Sequence, residues 1–237
     1  MNDPKSIQGV TFDVGGTLIE PWPSVGHVYA EAAARAGWKN ISPDALNLRF
    51  RAAWQNAADF DYSRSGWEKI VNETFRGLAP GDGRVPFFAE LYARFAEAGA
   101  WRVFDDARPA LEALASQGLR LGVVSNWDDR LRPLLRGLRL HNYFETIAIS
   151  CEVGFAKPSP VIFQQAAVKL GLPPDAILHI GDHDELDVRG AKSAGFYAAR
   201  IVRDAGEIRA GELRSLTELP SKIANPISLC ETMPRRP

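Results

Sequence analysis

The sequence predicts an α/β protein: a parallel sheet flanked by helices, interrupted near its start by a helical insertion. Three observations carry that prediction. Gly9–Phe12 is a short apolar, β-branched and aromatic run that ends on Asp13 and turns at Gly15-Gly16. It reads as a buried strand stopping at the carboxyl edge of a sheet, where open α/β folds hold their ligands. From Trp101 onward, strand-like runs alternate with helical ones, as parallel βαβ units with right-handed crossovers require. Between the two, residues 20–98 show helical spacing and no strand signal.

The elements follow in order. Pro21 and Pro23 break the chain after Ile19, so residues 20–24 are expected to be neither strand nor helix. Val28, Ala32 and Ala36 recur at helical spacing and Gly37 stops them, predicting a helix over 25–37. Ser42-Pro43-Asp44 combines an N-cap with a first-turn proline and opens a second helix through Trp54. A third is expected over 65–77 with Trp67, Ile70, Val71, Thr74 and Phe75 on one side. A loop at 80–83 then precedes a fourth over 85–98, with Phe88, Leu91, Tyr92 and Phe95 as its stripe. The aromatic residues of this insertion read as core.

Beyond Trp101, helices are expected over 107–117, 128–137, 160–170, 188–194 and 213–224, with strands over 119–124, 146–150, 176–180 and 197–202. The residues after Pro226 are expected to fray. The strand near residue 10 completes this sheet. The core is therefore 1–19 with 99–237, and 20–98 is an insertion expected to sit over the sheet's carboxyl edge as a cap.

Composition narrows the function classes. At 237 residues, the chain is long enough to bury roughly 70% of its unfolded surface. A formal net charge of −1 gives no basic excess for nucleic acid or an anionic membrane surface. Cys151 and Cys230 are too far apart in sequence to suggest a disulfide framework, which fits a reducing compartment. No leader pattern and no bilayer-length apolar run is present, so the expected location is the cytoplasm.

Polar residues gather at strand ends: Asp13, Ser125-Asn126, Lys157, and Asp182 with Asp187. Brought to one edge, they supply three carboxylates, one ammonium and one hydroxyl. Three close carboxylates repel, so one must protonate or a cation must intervene. A hard divalent ion with oxygen ligands, Mg²⁺, resolves the conflict, and the remaining coordination with Lys157 suits a phosphate. Each residue also has a plainer reading. Ser125 fits as an N-cap, Lys157 as a loop lysine, Asp187 as a helix-start residue. Asp13 with Gly15-Gly16 and Thr17 alone would pass for a turn.

Asp13-Val14-Gly15-Gly16-Thr17, Ser125, Lys157 before Pro158, and Gly181-Asp182 with Asp187 after four intervening residues resemble, in order, the four motifs of the haloacid dehalogenase-like hydrolases. The resemblance covers nearly the whole chain and extends to the helical-cap subgroup. Residues 124–131 and 152–163 look like its domain-containing-3 branch. It implies a Rossmann-like core. It implies Asp13 as nucleophile and metal ligand, the Gly15 carbonyl as a second ligand, and Asp182 and Asp187 as further ligands. It also implies Thr17 orienting the nucleophile loop, Ser125 and Asn126 holding the transferred group, and Lys157 neutralising Asp13 and the substrate oxygens. The implied activity is a Mg²⁺-dependent phosphatase on a small phosphorylated compound, through an aspartyl-phosphate.

One position departs from the phosphatase pattern, which carries a second Asp two residues after the nucleophile as acid and base. Here that residue is Gly15. General acid–base catalysis contributes ~10²–10⁴-fold, so its loss matters most for a poor leaving group and little for an aryl or acyl phosphate. His183, Asp184 and His27 are the substitutes the sequence offers. The alternatives are dehalogenase or phosphonatase chemistry, or a catalytically weak binding module. Restoring Asp at position 15 is expected to raise phosphatase activity if the loop has room.

Overall fold

A computed structural model describes residues 6–57, 60–78, 84–204 and 206–224. The loop expected at 80–83, Cys230 and the tail after Pro226 lie outside them. The chain divides into two compact units: residues 1–19, 103–129 and 138–237, and residues 20–102 with 130–137.

Gly9–Phe12 (β1) is fully buried, as an unbroken apolar strand flanked on both sides must be. Ile19–Pro21 (β2) follows, where the prolines argued against any strand. It has a single neighbour, so Pro21 removes no ladder hydrogen bond. Helices Val25–Arg35 (α1) and Pro43–Gln55 (α2) are capped by Ser24 and Ser42, and Arg64–Thr74 (α3) by Ser63. The fourth helix is only Phe88–Arg94 (α4), because Pro86 disfavours the helical conformation at Val85. Trp101–Val103 (β3) pairs with β2.

The sheet unit continues with Ala107–Ser116 (α5) and Arg120–Ser125 (β4). The next helix, Leu131–Gly137 (α6), clusters with the helical unit. It starts three residues later than expected, which places Pro133 in its first turn, where no N–H is needed. Then come Thr146–Ile149 (β5), Ser150–Val153 (α7), Pro160–Leu170 (α8) and Ile177–Gly181 (β6). Residues 184–189 form a π-helix, where only loop and helix start were expected, and run into Gly190–Ser193 (α9). Tyr197–Arg200 (β7) closes the sheet. Leu213 is extended and hydrogen-bonded to Arg200 and Val202, so the last helix is a 3₁₀ turn at Leu216–Glu218 leading into Leu219–Ala224 (α10).

The sheet is parallel, in the order β5-β4-β1-β6-β7. β1 is central, with Phe12 in register with Val123 of β4 and Ile180 of β6. Asp13, Ser125 and Asp182 therefore reach the same carboxyl edge. Phe163, Phe196 and Leu170 form part of the core beneath one face. The helical unit has its own core, where Tyr29 stacks on Phe75 at 5.7 Å and Trp38 meets Phe87 edge-on at 5.0 Å. Among the described residues no helix is long and apolar enough to cross a membrane.

Asp106 ties the segment after β7 to the sheet unit. Its Oδ2 accepts from Arg203 Nη1 (2.7 Å), Ser215 Oγ (3.0 Å) and the Leu216 N–H (2.8 Å). Burial opposes its charge, but Arg203 and these donors hold the carboxyl below its ordinary value of 3.8. Asp106→Ala is expected to cost roughly 2–3 kcal/mol by denaturant titration at neutral pH. Because folding lowers this pKa, the stabilisation is complete above the unfolded value and fades as pH falls through the folded one. The gap between variant and parent should therefore shrink in acid.

Candidate active site

The turn after β1 is built for close approach. The Thr17, Leu18 and Ile19 N–H groups all point at the Val14 carbonyl (3.3, 2.9 and 3.0 Å). Gly16 sits at φ +74°, and a Cβ on it would lie 2.5 Å from Asp182 Oδ2, so only glycine lets the two strand ends meet here. Gly181 plays the same part for Asp187, whose Cγ would be 2.1 Å from an added Cβ. The π-helix turns Asp187 back over the end of β6. The His183 N–H donates to Asp187 Oδ2 (3.0 Å), and His183 Nδ1 accepts from the Leu186 N–H (3.3 Å). Such wide turns recur at functional positions.

At the centre is Asp13, buried. Its Oδ1 accepts from Ser125 Oγ at 2.9 Å and from Lys157 Nζ at 2.6 Å. Lys157 Nζ also donates to Asp187 Oδ1 at 2.5 Å. Asn126 fixes the Lys157 backbone from both sides: its Nδ2 donates to the carbonyl (3.0 Å), and its Oδ1 accepts from the N–H (2.6 Å). Carboxylate oxygens of Asp13, Asp182 and Asp187 all lie within 4.8 Å of one another.

Three carboxylates share one ammonium, and the charges record it. Burial pushes Asp13 up, and the Lys157 charge offsets this only in part. Asp182 is pushed up to about 7, first by burial and then by the Asp13 and Asp187 charges. Burial acts on Asp187 too, but Lys157 and His179 outweigh it and hold this carboxyl below its ordinary range. Lys157 stays charged: burial opposes its charge, and the two carboxylates prevail. The cluster thus carries more acid than its lysine can neutralise. Its all-oxygen donor set is the kind a hard divalent cation takes.

A haloacid dehalogenase-like hydrolase model matches residues 7–195. The chain belongs to the haloacid dehalogenase-like hydrolases. Haloacid dehalogenase-like hydrolase domain-containing protein 3 of Danio rerio is 32% identical over 234 residues, spanning 92% of this chain and 96% of that protein. Phosphoglycolate phosphatase of Salmonella paratyphi A is 31% identical over 210 residues, 82% and 81% of the two chains. Among solved structures, a HAD phosphatase from Thermococcus onnurineus superposes with a TM-score of 0.67 at 28% identity, covering 92% and 98%.

In this hydrolase, six of the sequence-derived residues come together directly: Asp13, Ser125, Asn126, Lys157, Asp182 and Asp187. Thr17 is buried in the turn. Its carbonyl accepts from Arg203, and its hydroxyl has no partner among the described residues, so backbone contacts rather than the hydroxyl fix the turn. Gly15 packs against Trp127: a Cβ there would lie 3.2 Å from Cζ3 of the indole. The room for an Asp at this position is therefore tight. The candidate substitute acids are locally engaged. Asp184 pairs with Arg189 at 3.2 Å, and His27 Nδ1 meets Ser24 Oγ at 2.8 Å.

His179 belongs to the hydrolase site although no sequence motif singles it out. It lies fully buried on β6, with Nε2 3.2 Å from Asp187 Oδ1 and Nδ1 3.0 Å from Thr11 Oγ. Burial lowers its pKa. A neutral ring satisfies both partners when Nε2–H donates to Asp187 and Nδ1 accepts from Thr11. The available signal was a single histidine in an otherwise apolar strand.

Proposed function

We propose that this chain is a Mg²⁺-dependent phosphohydrolase of a small phosphorylated compound, working through a phosphorylated Asp13. The observation that carries the reading is the buried Asp13 carboxylate, held by Ser125 and Lys157 with two more carboxylates beside it. Phosphatase-named relatives support the substrate class. Mg²⁺ would be held by Asp13, the Gly15 carbonyl, Asp182 and Asp187. When bound, it supplies positive charge at the phosphoryl oxygens.

The chain's own groups do the rest. Ser125 and Lys157 hold Asp13 Oδ1, leaving Oδ2 to attack phosphorus. Lys157 neutralises both the nucleophile and the charge on the phosphoryl oxygens, and Ser125 with the Asn126 backbone orients the group. Asp187 and His179 keep Lys157 aimed. Water then cleaves the acyl phosphate. The helical insertion, residues 20–98, acts as the cap that selects the substrate. A reducing, cytoplasmic location fits the two widely spaced cysteines.

The deciding experiment measures phosphate release from a panel of phosphate esters with and without Mg²⁺, with halo-acids as controls. Release only with metal supports the reading, and halide release without metal overturns it. Metal binding has its own readout. Mg²⁺ at ~100 times its dissociation constant should stabilise the protein by about 2.7 kcal/mol. Asp182→Asn should weaken that binding on the order of 10–100-fold and cut the stabilisation at the same concentration to about 0.4–1.4 kcal/mol.

A further inference from the structure

We propose that Trp127 sets the substrate class of this site, restricting it to phosphorylated compounds whose leaving oxygen departs without a proton: acyl and aryl phosphates. The proposal rests on the phosphohydrolase reading above and adds the leaving group to it.

Nothing in the backbone at position 15 demands glycine: unlike Gly16, Gly15 does not have a positive φ. What crowds a side chain there is the indole. An added Cβ would lie 3.2 Å from Trp127 Cζ3 and 3.8 Å from Cη2. The space where a carboxylate two residues beyond the nucleophile would begin is filled by an aromatic edge. Nor can the indole's backbone readily withdraw. Its N–H donates to Ser150 Oγ (3.0 Å), and its carbonyl accepts from Ser150 Oγ (3.0 Å) and the Cys151 N–H (3.3 Å). Trp127 directly follows Ser125 and Asn126, which hold Asp13 and the Lys157 backbone. One short segment therefore fixes both the nucleophile and the apolar surface beside it.

The consequence is chemical. In the first step an Asp13 carboxylate oxygen bonds to phosphorus. The bond from phosphorus to the leaving oxygen breaks, and its electron pair goes to that oxygen, which departs as an anion. A carboxylate (pKa ~4) or a phenolate (~10) carries that charge unaided. An alkoxide, about as basic as hydroxide (~15.7), does not. In the second step water bonds to phosphorus, the electron pair of the acyl phosphate bond returns to Asp13, and the proton goes to the released phosphate. With such a leaving group the first step, the one that depends on the substrate, needs no acid at position 15; the second is common to every substrate.

The test uses the full chain with Mg²⁺ and a series from acetyl phosphate through 4-nitrophenyl and phenyl phosphate to an alkyl phosphate. The expected kcat/KM falls at least ~10³-fold across the series, the scale of a missing general acid. Gly15→Asp combined with Trp127→Ala should flatten the leaving-group dependence, and Gly15→Asp alone should not. If that double variant fails to fold, the parent's series still decides. Equal turnover of alkyl and acyl phosphates, with Asp13 still required, overturns the role of Trp127 and leaves the phosphohydrolase standing. No phosphate from any member of the series overturns both.

Discussion

Asp13→Asn is expected to remove phosphate release altogether, a fall of roughly 10⁴–10⁶-fold on the scale seen when a catalytic nucleophile is deleted. The substitution keeps the volume of the side chain. It also keeps an oxygen that can accept from Ser125 Oγ, which lies 2.9 Å from the carboxylate in the parent. Lys157 retains its second partner, Asp187, at 2.5 Å, so the buried ammonium is not stranded and the fold should survive. What disappears is the anionic oxygen that would bond to phosphorus. The check is steady-state release from acetyl and 4-nitrophenyl phosphate alongside a thermal melt. A folded variant that keeps the parent's rate would remove Asp13 from the chemistry.

The parts of the fold written most plainly in the sequence are those where one local signal dominates. α8 runs over Pro160–Leu170, as its Ser159-Pro160 start and Gly171 stop require, and β1 is as buried as its apolar run implies. The misread segments are those where longer-range contacts decide. β2 exists because β3 pairs with it, and the sequence around Pro21 contains nothing of β3. Residues 184–189 close into a π-helix because the Asp187 carboxylate is drawn toward Lys157 and the His183 N–H, a pull that originates 30 residues away. The site divides in the same way. Its motif residues stand at strand ends and can be read from their spacing. Their supports cannot. His179 reaches Asp187 only because β1 and β6 set Thr11 opposite it in register. Trp127 meets Gly15 across two strand ends, and neither residue's neighbours in sequence announce the contact.

Lys157→Met should lower kcat by ~10²–10³-fold, the scale for removing one preorganised donor from a developing charge. It should also cost roughly 3–5 kcal/mol of stability when Mg²⁺ is chelated, because it strands buried carboxylates without their cation. Lys157 is buried between Asp13 and Asp187, at 2.6 and 2.5 Å. In its absence three acidic groups face one another, and burial already drives Asp13 and Asp182 toward protonation in the parent. A divalent cation at the same oxygens should then stabilise the variant more than it stabilises the parent. Denaturant titrations with chelator and with Mg²⁺, run on both proteins, measure that difference directly. Activity would not recover in step. The cation can neutralise the carboxylates, but it cannot take the place of the ammonium that holds Asp13 Oδ1 and faces the phosphoryl oxygens. Equal losses of stability with and without Mg²⁺ would mean that lysine and metal do not share these carboxylates, and the proposed metal site would fall with that result.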